Sequence, residues 1–158
     1  MTIYLVRHAR AGDRSAWNAN DTLRPLSRAG QAQARGLVDT LAKARFERIL
    51  SSPYVRCMET VVPLAAARHL AVEPDDALAE GADLEQTLTL VQKHLTSGAV
   101  LCSHGDMIPA VLEHLAAGGI DLGSHPRCPK GSTWVVEAKG GSEITGVHYL
   151  PPPHDPAE

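Results

Sequence analysis

Short apolar runs alternate with longer amphipathic segments along this chain, and the alternation sets its architecture. Ile3 to Val6 is apolar on both faces, as expected of a strand buried in a parallel sheet. Ala34, Leu37, Val38, Leu41 and Ala42 then recur at the spacing of one helical face, with Ser27 placed to cap that helix after Pro25 and Leu26. Arg48 to Leu50 reads as a second strand ending at Ser51-Ser52-Pro53. Met58, Val61, Val62 and Ala65 give a second helical stripe, and Leu84, Leu88, Val91 and Leu95 a third. Ala99 to Cys102 is a buried strand, followed by a fourth helical face of Ile108, Val111, Leu112, Leu115 and Ala116. Two more strands, Thr133 to Glu137 and Ile144 to Leu150, flank a Gly140-Gly141 turn. The pattern predicts an α/β fold, a three-layer sandwich whose mostly parallel central sheet carries helices on both faces. One domain over residues 1–150 and a flexible Pro-rich tail over 151–158 complete the expected organisation.

Composition narrows what such a fold does. With 158 residues and 44% hydrophobic content, the chain is long enough for a sizeable core. Its net charge of −3 gives no electrostatic case for a general nucleic-acid binder or a polybasic membrane surface. No apolar stretch approaches a membrane span, and Met1-Thr2-Ile3-Tyr4 lacks the pattern of a signal peptide. Cys57, Cys102 and Cys128 are too scattered for a disulfide framework or a zinc knuckle, and fit reduced thiols in a cytoplasmic protein. Cys102, at a buried strand end, reads as a small apolar filler.

Candidate chemistry sits at three strand ends, where ligands bind in open α/β sheets. The first strand ends in Arg7-His8: a permanently charged fork suited to phosphate oxygens beside an imidazole able to act as a nucleophile. Taken alone, the pair is equally a surface feature. The second strand leads through Ser51-Ser52-Pro53-Tyr54-Val55-Arg56 into a helix whose N-terminus favours an anion. The Ala99–Cys102 strand leads into Ser103-His104-Gly105-Asp106, again before a helix. Two histidines and two arginines thus converge from distant parts of the chain. A nucleophilic imidazole must be neutral, and the Arg7 and Arg56 charges are expected to disfavour its protonated form. One His8 nitrogen must face phosphorus, so the other should donate to a backbone carbonyl or similar acceptor. The long loop from Ala9 to Pro25 adds Arg14 and Arg24, which are expected to reach toward the phosphate or the body of the substrate. Trp17 in the same loop either packs locally or covers an organic group such as a base. His69, His94, His114 and His125 are expected to be structural or solvent-exposed, and His148 and His154 receive no role.

These motifs resemble those of the histidine phosphatase superfamily, the clan that includes the cofactor-dependent phosphoglycerate mutases. The likeness rests on the opening Arg7-His8, on Ser51-Ser52-Pro53-x-x-Arg56 before a helix, and on Ser103-His104-Gly105. The short length and the segment Arg24 to Ala32 are similar to the small SixA-like phosphohistidine phosphatases. Ser51 to Thr60, Cys102 to Pro109 and Lys130-Gly131-Ser132-Thr133-Trp134 also resemble the phosphatase domain fused to Nudix domains in actinobacterial enzymes that act on oxidised nucleotides. Many relatives carry glycine where this chain has Ala9, another small residue.

The resemblance implies a phosphoglycerate mutase-like fold and a phosphatase. His8 would take the phosphoryl group as a phosphohistidine that water later hydrolyses, and Arg7, Arg56 and His104 would surround the non-bridging oxygens. Glu80, in Leu78-Ala79-Glu80-Gly81, falls where relatives keep the acid that protonates the leaving oxygen; Asp83, Glu85 and Asp106 are the neighbouring candidates. Nothing in this scheme needs a metal or other cofactor, and no metal-ligand spacing such as His-Glu-x-x-His appears. The expected partner is a phosphorylated substrate, either a phosphohistidine protein or a small phosphorylated molecule or nucleotide. A non-catalytic module that binds phosphate is the reading of another class.

Other hydrolase and kinase signatures are absent. A Cys-dependent phosphatase needs Cys-x5-Arg, but six residues beyond the three cysteines stand Pro63, Ile108 and Trp134. Lys130-Gly131-Ser132 lacks the glycine loop of a P-loop, and there is no Gly-x-Ser-x-Gly elbow. Relatives with mutase activity are longer, with extra segments that retain a bisphosphate.

Overall fold

The computed structural model describes residues 1–123 and 127–153. His125, His154 and the tail beyond Pro153 lie outside the described residues. The elements, in chain order, are β1 (Thr2–Arg7), α1 (Arg28–Thr40), β2 (Arg48–Ser51), α2 (Val55–Arg68), β3 (Val72–Pro74), α3 (Leu84–His94), β4 (Ala99–Ser103), α4 (Met107–Ala117), β5 (Thr133–Lys139) and β6 (Glu143–Leu150). They build one six-stranded sheet in the order β3-β2-β4-β1-β5-β6. β3, β2, β4 and β1 run parallel, while β5 and β6 are antiparallel additions at one side. β1 therefore has a parallel neighbour on one flank and an antiparallel one on the other.

Alternation along the central strands sends side chains into two separate cores. Ile3, Leu5, Leu50, Ala99 and Leu101 pack with Leu90, Val91 and Leu95 of the α3 region and with Ile108, Val111 and Leu112 of α4. Val6, Ile49, Val100 and Cys102 point the other way, against Leu37 and Leu41 of the α1 region and Cys57, Val61 and Leu64 of α2. This is the three-layer sandwich, and its burial fixes register: a one-residue slip of β4 would exchange the two cores.

Two sequence expectations are corrected. Val62 is 50% exposed, because the inward face of α2 runs through Cys57, Thr60, Val61, Leu64 and Ala65. A stripe counted only over strongly apolar residues rotates the helix in error when threonine and cysteine face the sheet. β3 was not foreseen; it is three residues long at the sheet edge and ends in Pro74, a residue tolerated there because an edge strand leaves some N–H groups unpaired.

The α1 N-terminus is built as expected, with Ser27 Oγ accepting from Gly30 N at 3.1 Å. Gly30 itself touches the preceding loop: a Cβ there would lie 1.9 Å from the Arg10 carbonyl oxygen. Glycine to alanine within a helix ordinarily stabilises by about 1 kcal/mol. Here overpacking wins, and Gly30→Ala should destabilise the protein by about 1–3 kcal/mol, read as a lower midpoint in urea at unchanged slope.

The Ala9–Pro25 loop is more ordered than its sequence suggests. It is pinned by a bridge between Ala11 and Leu26, and holds two single turns of 3-10 helix, Arg14–Ala16 capped by Asp13 and Asp21–Leu23 capped by Asn20. Pro153, the last described residue, lies against Gly36 of α1. Among the described residues no helix is long and apolar enough to cross a membrane.

Candidate active site

β1, β2 and β4 end at the same sheet margin, since Arg7 registers with Ser103 and Ser51 with Cys102. The turns that follow bring together His8, Arg56 and His104. His8 and His104 stand edge to face, with ring centroids 5.4 Å apart, and both are buried. His8 lines a cavity of about 370 Å³ together with Arg7, Arg56 and Glu80, while His104 is not among the lining residues.

The backbone around His8 is held from three directions. His8 N donates to Ser103 O at 3.0 Å, Gly131 N donates to His8 O at 3.0 Å, and Ala9 N donates to Thr60 Oγ1 at 2.9 Å. The His8 ring has its Nδ1 2.8 Å from Ala9 O. A carbonyl only accepts, so Nδ1 carries the proton and Nε2 keeps its lone pair. The required backbone acceptor is thus the very next residue.

Burial is the main force on the His8 proton. It outweighs the bond to Ala9 O, which favours the charged ring, and is joined by repulsion from His104, Arg56 and Arg7; the imidazole is pushed down to about 3. The expected effect of the two guanidinium groups is present, with desolvation ahead of it. His8 is therefore neutral throughout the neutral pH range. On unfolding it binds a proton at any pH between about 3 and its unfolded value near 6.5, so its contribution to stability grows with pH across that window and is lost on acidification. The melting temperature of wild type should thus fall more steeply from about pH 6.5 toward 3 than that of His8→Asn. Parallel profiles would assign the acid sensitivity to other groups.

Arg7 and Arg56 are fixed by short contacts that leave donors over. Arg7 Nη1 donates to Cys128 O at 2.6 Å. Its guanidinium lies flat against Gly105, where a Cβ would come within 2.6 Å of Cζ. Arg56, 1% exposed, donates from Nη1 to Asp21 O at 3.0 Å and pairs through Nη2 with Asp21 Oδ2 at 3.3 Å and Glu80 Oε2 at 3.8 Å. Ser52 Oγ accepts from Tyr54 N at 3.2 Å and sits 2.8 Å from His104 Nε2. Ser52 Oγ keeps a second lone pair and its proton, so it can pair with Nε2 either way; in the arrangement where it donates, the neutral His104 ring carries its proton on Nδ1. Arg7 Nε, Arg56 Nε and His104 Nδ1 are buried without a hydrogen-bond partner among the described residues. Unpartnered guanidinium N–H groups such as those of Arg7 and Arg56 suit an anion with several oxygens.

The remaining candidates separate clearly. Arg24 is buried and lines the cavity, though Nε pairs with Asp21 Oδ1 at 3.0 Å and Nη1 donates to Gly12 O at 2.7 Å. Arg14 is exposed at the rim, 3.7 Å from the same Asp21 oxygen. Among the carboxylates, Asp83 caps α3 by accepting from Glu85 N, and neither lines the cavity. Asp106 lines it but accepts from Gly81 N at 2.8 Å. Glu80 lines it with an oxygen near Arg56. Trp17 is half-buried, its indole N–H donating to Asn20 O at 2.9 Å, beside a second pocket of about 270 Å³ that shares Arg14 and Glu80 with the first. His94 is buried, and His69, His114 and His148 are exposed, none of them lining the cavity. Cys102 is fully buried in β4, its thiol pushed up by burial and by Cys57.

Two residues escaped the sequence reading. Asp21 receives Arg14, Arg24 and Arg56 together; the hydrogen bond from Arg24 and the guanidinium charges hold its carboxyl below the usual range. Nothing periodic marks it. Lys130 lines the cavity, and burial with the field of Arg7, Arg24, Arg10 and Arg14 lowers its ammonium. Its only signal was its place in the Lys130–Trp134 segment.

β1, β2 and β4 thus end beside a cavity lined by arginines and a neutral imidazole, at the margin where open α/β sheets bind ligands. Residues 3–89 match the family model of the histidine phosphatase superfamily (branch 1), and the chain belongs to that superfamily. It is 31% identical to the 8-oxo-(d)GTP phosphatase of Mycolicibacterium smegmatis over 159 aligned positions, covering 98% of this chain and 49% of that protein, so the chain spans about half that relative's length. A phosphohistidine phosphatase SixA structure from Agrobacterium tumefaciens superimposes with a TM-score of 0.74 at 25% identity, over 96% of this chain and 97% of the other. The protein histidine phosphatase SixA bound to tungstate gives 0.74 at 22% identity, over 92% and 93% of the two chains. The fold is that of the SixA-type members.

Proposed function

We propose that this chain is a phosphohydrolase in which His8 is the nucleophile. The observation that carries the reading is the His8 ring itself: neutral, with Nδ1 committed to Ala9 O and Nε2 free beside orphaned donors of Arg7, Arg56 and His104. Nε2 attacks phosphorus and forms phosphohistidine, while the three donors hold the equatorial oxygens as charge spreads over them. Glu80 protonates the leaving oxygen and then takes a proton from the attacking water. Arg24 and Asp21 hold the Arg56 side of the site, and Arg14 meets the substrate at the rim. Every group in this scheme is a side chain or backbone atom of the protein.

The favoured substrate class is a small phosphorylated molecule, in particular a nucleotide. The 8-oxo-(d)GTP phosphatase relative aligns over nearly this whole chain, and the Trp17 pocket adjoins the phosphate cavity on the side of Glu80. Phosphohistidine on a protein is the second reading, supported by the SixA-type architecture. Phosphate release from nucleotides and from a phosphorylated histidine phosphotransfer protein separates the two. For an alkyl phosphate, Glu80→Gln should lower kcat by about 10²–10⁴, the usual worth of a general acid. An unchanged rate would move that role to another group.

A further inference from the structure

Five cationic side chains, Arg7, Arg14, Arg24, Arg56 and Lys130, share the cavity wall with the carboxylates Asp13, Glu80 and Asp106. Arg7, His8 and Arg56, which the proposed mechanism uses, line it, and Arg14, Arg24 and Lys130 line the same 370 Å³ space. Arg24 is consumed by Asp21 and Gly12, and Arg14 leans on Asp21. Lys130 differs: it is exposed at the cavity, and among the described residues its ammonium has no hydrogen bond or ion pair. An unpaired ammonium at the wall of a cavity is available to an anionic group of the molecule that fills it. Its position is set from below, since Gly131 N donates to both Arg7 O and His8 O and Gln33 Nε2 donates to Lys130 O at 3.2 Å. The lysine is therefore carried by the same backbone that positions the nucleophile.

We infer that Lys130 binds a second phosphate of the substrate, so that the site acts on a phosphoanhydride, a nucleoside diphosphate or triphosphate, at its terminal phosphorus. This rests on the phosphohydrolase reading and names its substrate class. His8 Nε2 bonds to the terminal phosphorus as the bridging P–O bond breaks, and the electron pair leaves with the shortened nucleotide. Water then adds to phosphorus, the N–P pair returns to His8, inorganic phosphate departs, and the water proton passes to Glu80 or to solvent. A departing phosphate is a stable anion where an alkoxide is not, so the anhydride depends less on proton delivery from Glu80.

The test compares a nucleoside diphosphate with the monophosphate of the same nucleoside, using wild type, Lys130→Ala and Lys130→Arg. Wild type should prefer the diphosphate in kcat/KM, mainly through KM. Lys130→Ala should reduce that preference roughly tenfold, the loss of one charge-assisted contact, and Lys130→Arg should restore most of it. Glu80→Gln should cost more with an alkyl phosphate than with the diphosphate. Equal losses for both nucleotides in Lys130→Ala, or wild type favouring the monophosphate, would overturn the assignment. Hydrolysis of p-nitrophenyl phosphate, and its loss in His8→Ala, reports the phosphohydrolase reading separately. A protein that cleaves the aryl phosphate without any diphosphate preference overturns Lys130 alone, and one that cleaves neither overturns both.

Discussion

His8→Ala should lower turnover at least roughly a thousandfold and remove the covalent intermediate altogether. The ring occupies a fixed place, and the other imidazole is engaged by Ser52 through Nε2. Wild type quenched during turnover should carry one phosphoryl group that resists alkali and is lost in acid, as a phosphoramidate is. His8→Ala should carry none. A variant that still turned over at a tenth of the normal rate would show that water attacks phosphorus directly and that His8 has a lesser part. Binding of the substrate should survive better than turnover, because Arg7, Arg56 and His104 remain.

The second large effect comes from a residue without a side chain. Gly105 lies under the Arg7 guanidinium, where an added Cβ would meet Cζ at 2.6 Å, Nη2 at 2.8 Å and Nε at 2.9 Å. Gly105 has no positive φ, so alanine suits the backbone there. The atoms that must move are the far end of a flexible side chain, and the fold yields there at little cost. The consequence falls on function: Arg7 is lifted from its Cys128 tether and its donors are displaced from the phosphoryl site. Gly105→Ala should lower kcat/KM by about 10²–10³, the usual worth of one donor to a developing oxyanion, with stability altered by less than about 1 kcal/mol. A large loss of stability with kinetics preserved would show that the glycine serves folding instead.

Much of the architecture was legible because two periods compete along the chain. Ile3 to Val6 and Ala99 to Cys102 are too short and too apolar to be helices, and Ala34 to Ala42 holds one face with a cap at Ser27. The four catalytic candidates were legible for another reason: Arg7 closes β1, His8 and His104 directly follow β1 and β4, and Arg56 stands in the first turn of the helix after β2, so topology gathers them. Val62 misled because a helix face is defined by what packs, and Thr60 faces inward to hold the Ala9 amide. Asp21 and Lys130 stayed hidden because neither sits at a strand end. Asp21 is placed by a 3-10 turn, and Lys130 by a turn tied to β1 through Gly131. Irregular backbone carries no period, so its side chains are located only by their partners.

The attachment of the nucleophile has an evolutionary corollary. Its main chain is anchored to a strand, a helix and the turn before β5, whereas the loop bearing Arg14 and Trp17 meets the reactive centre chiefly through one acid, Asp21. Mutation can therefore revise that loop, length included, while the reacting imidazole stays where it is. Changes that spare Asp21 can thus reshape what the cavity admits while the imidazole and Arg56 keep their places.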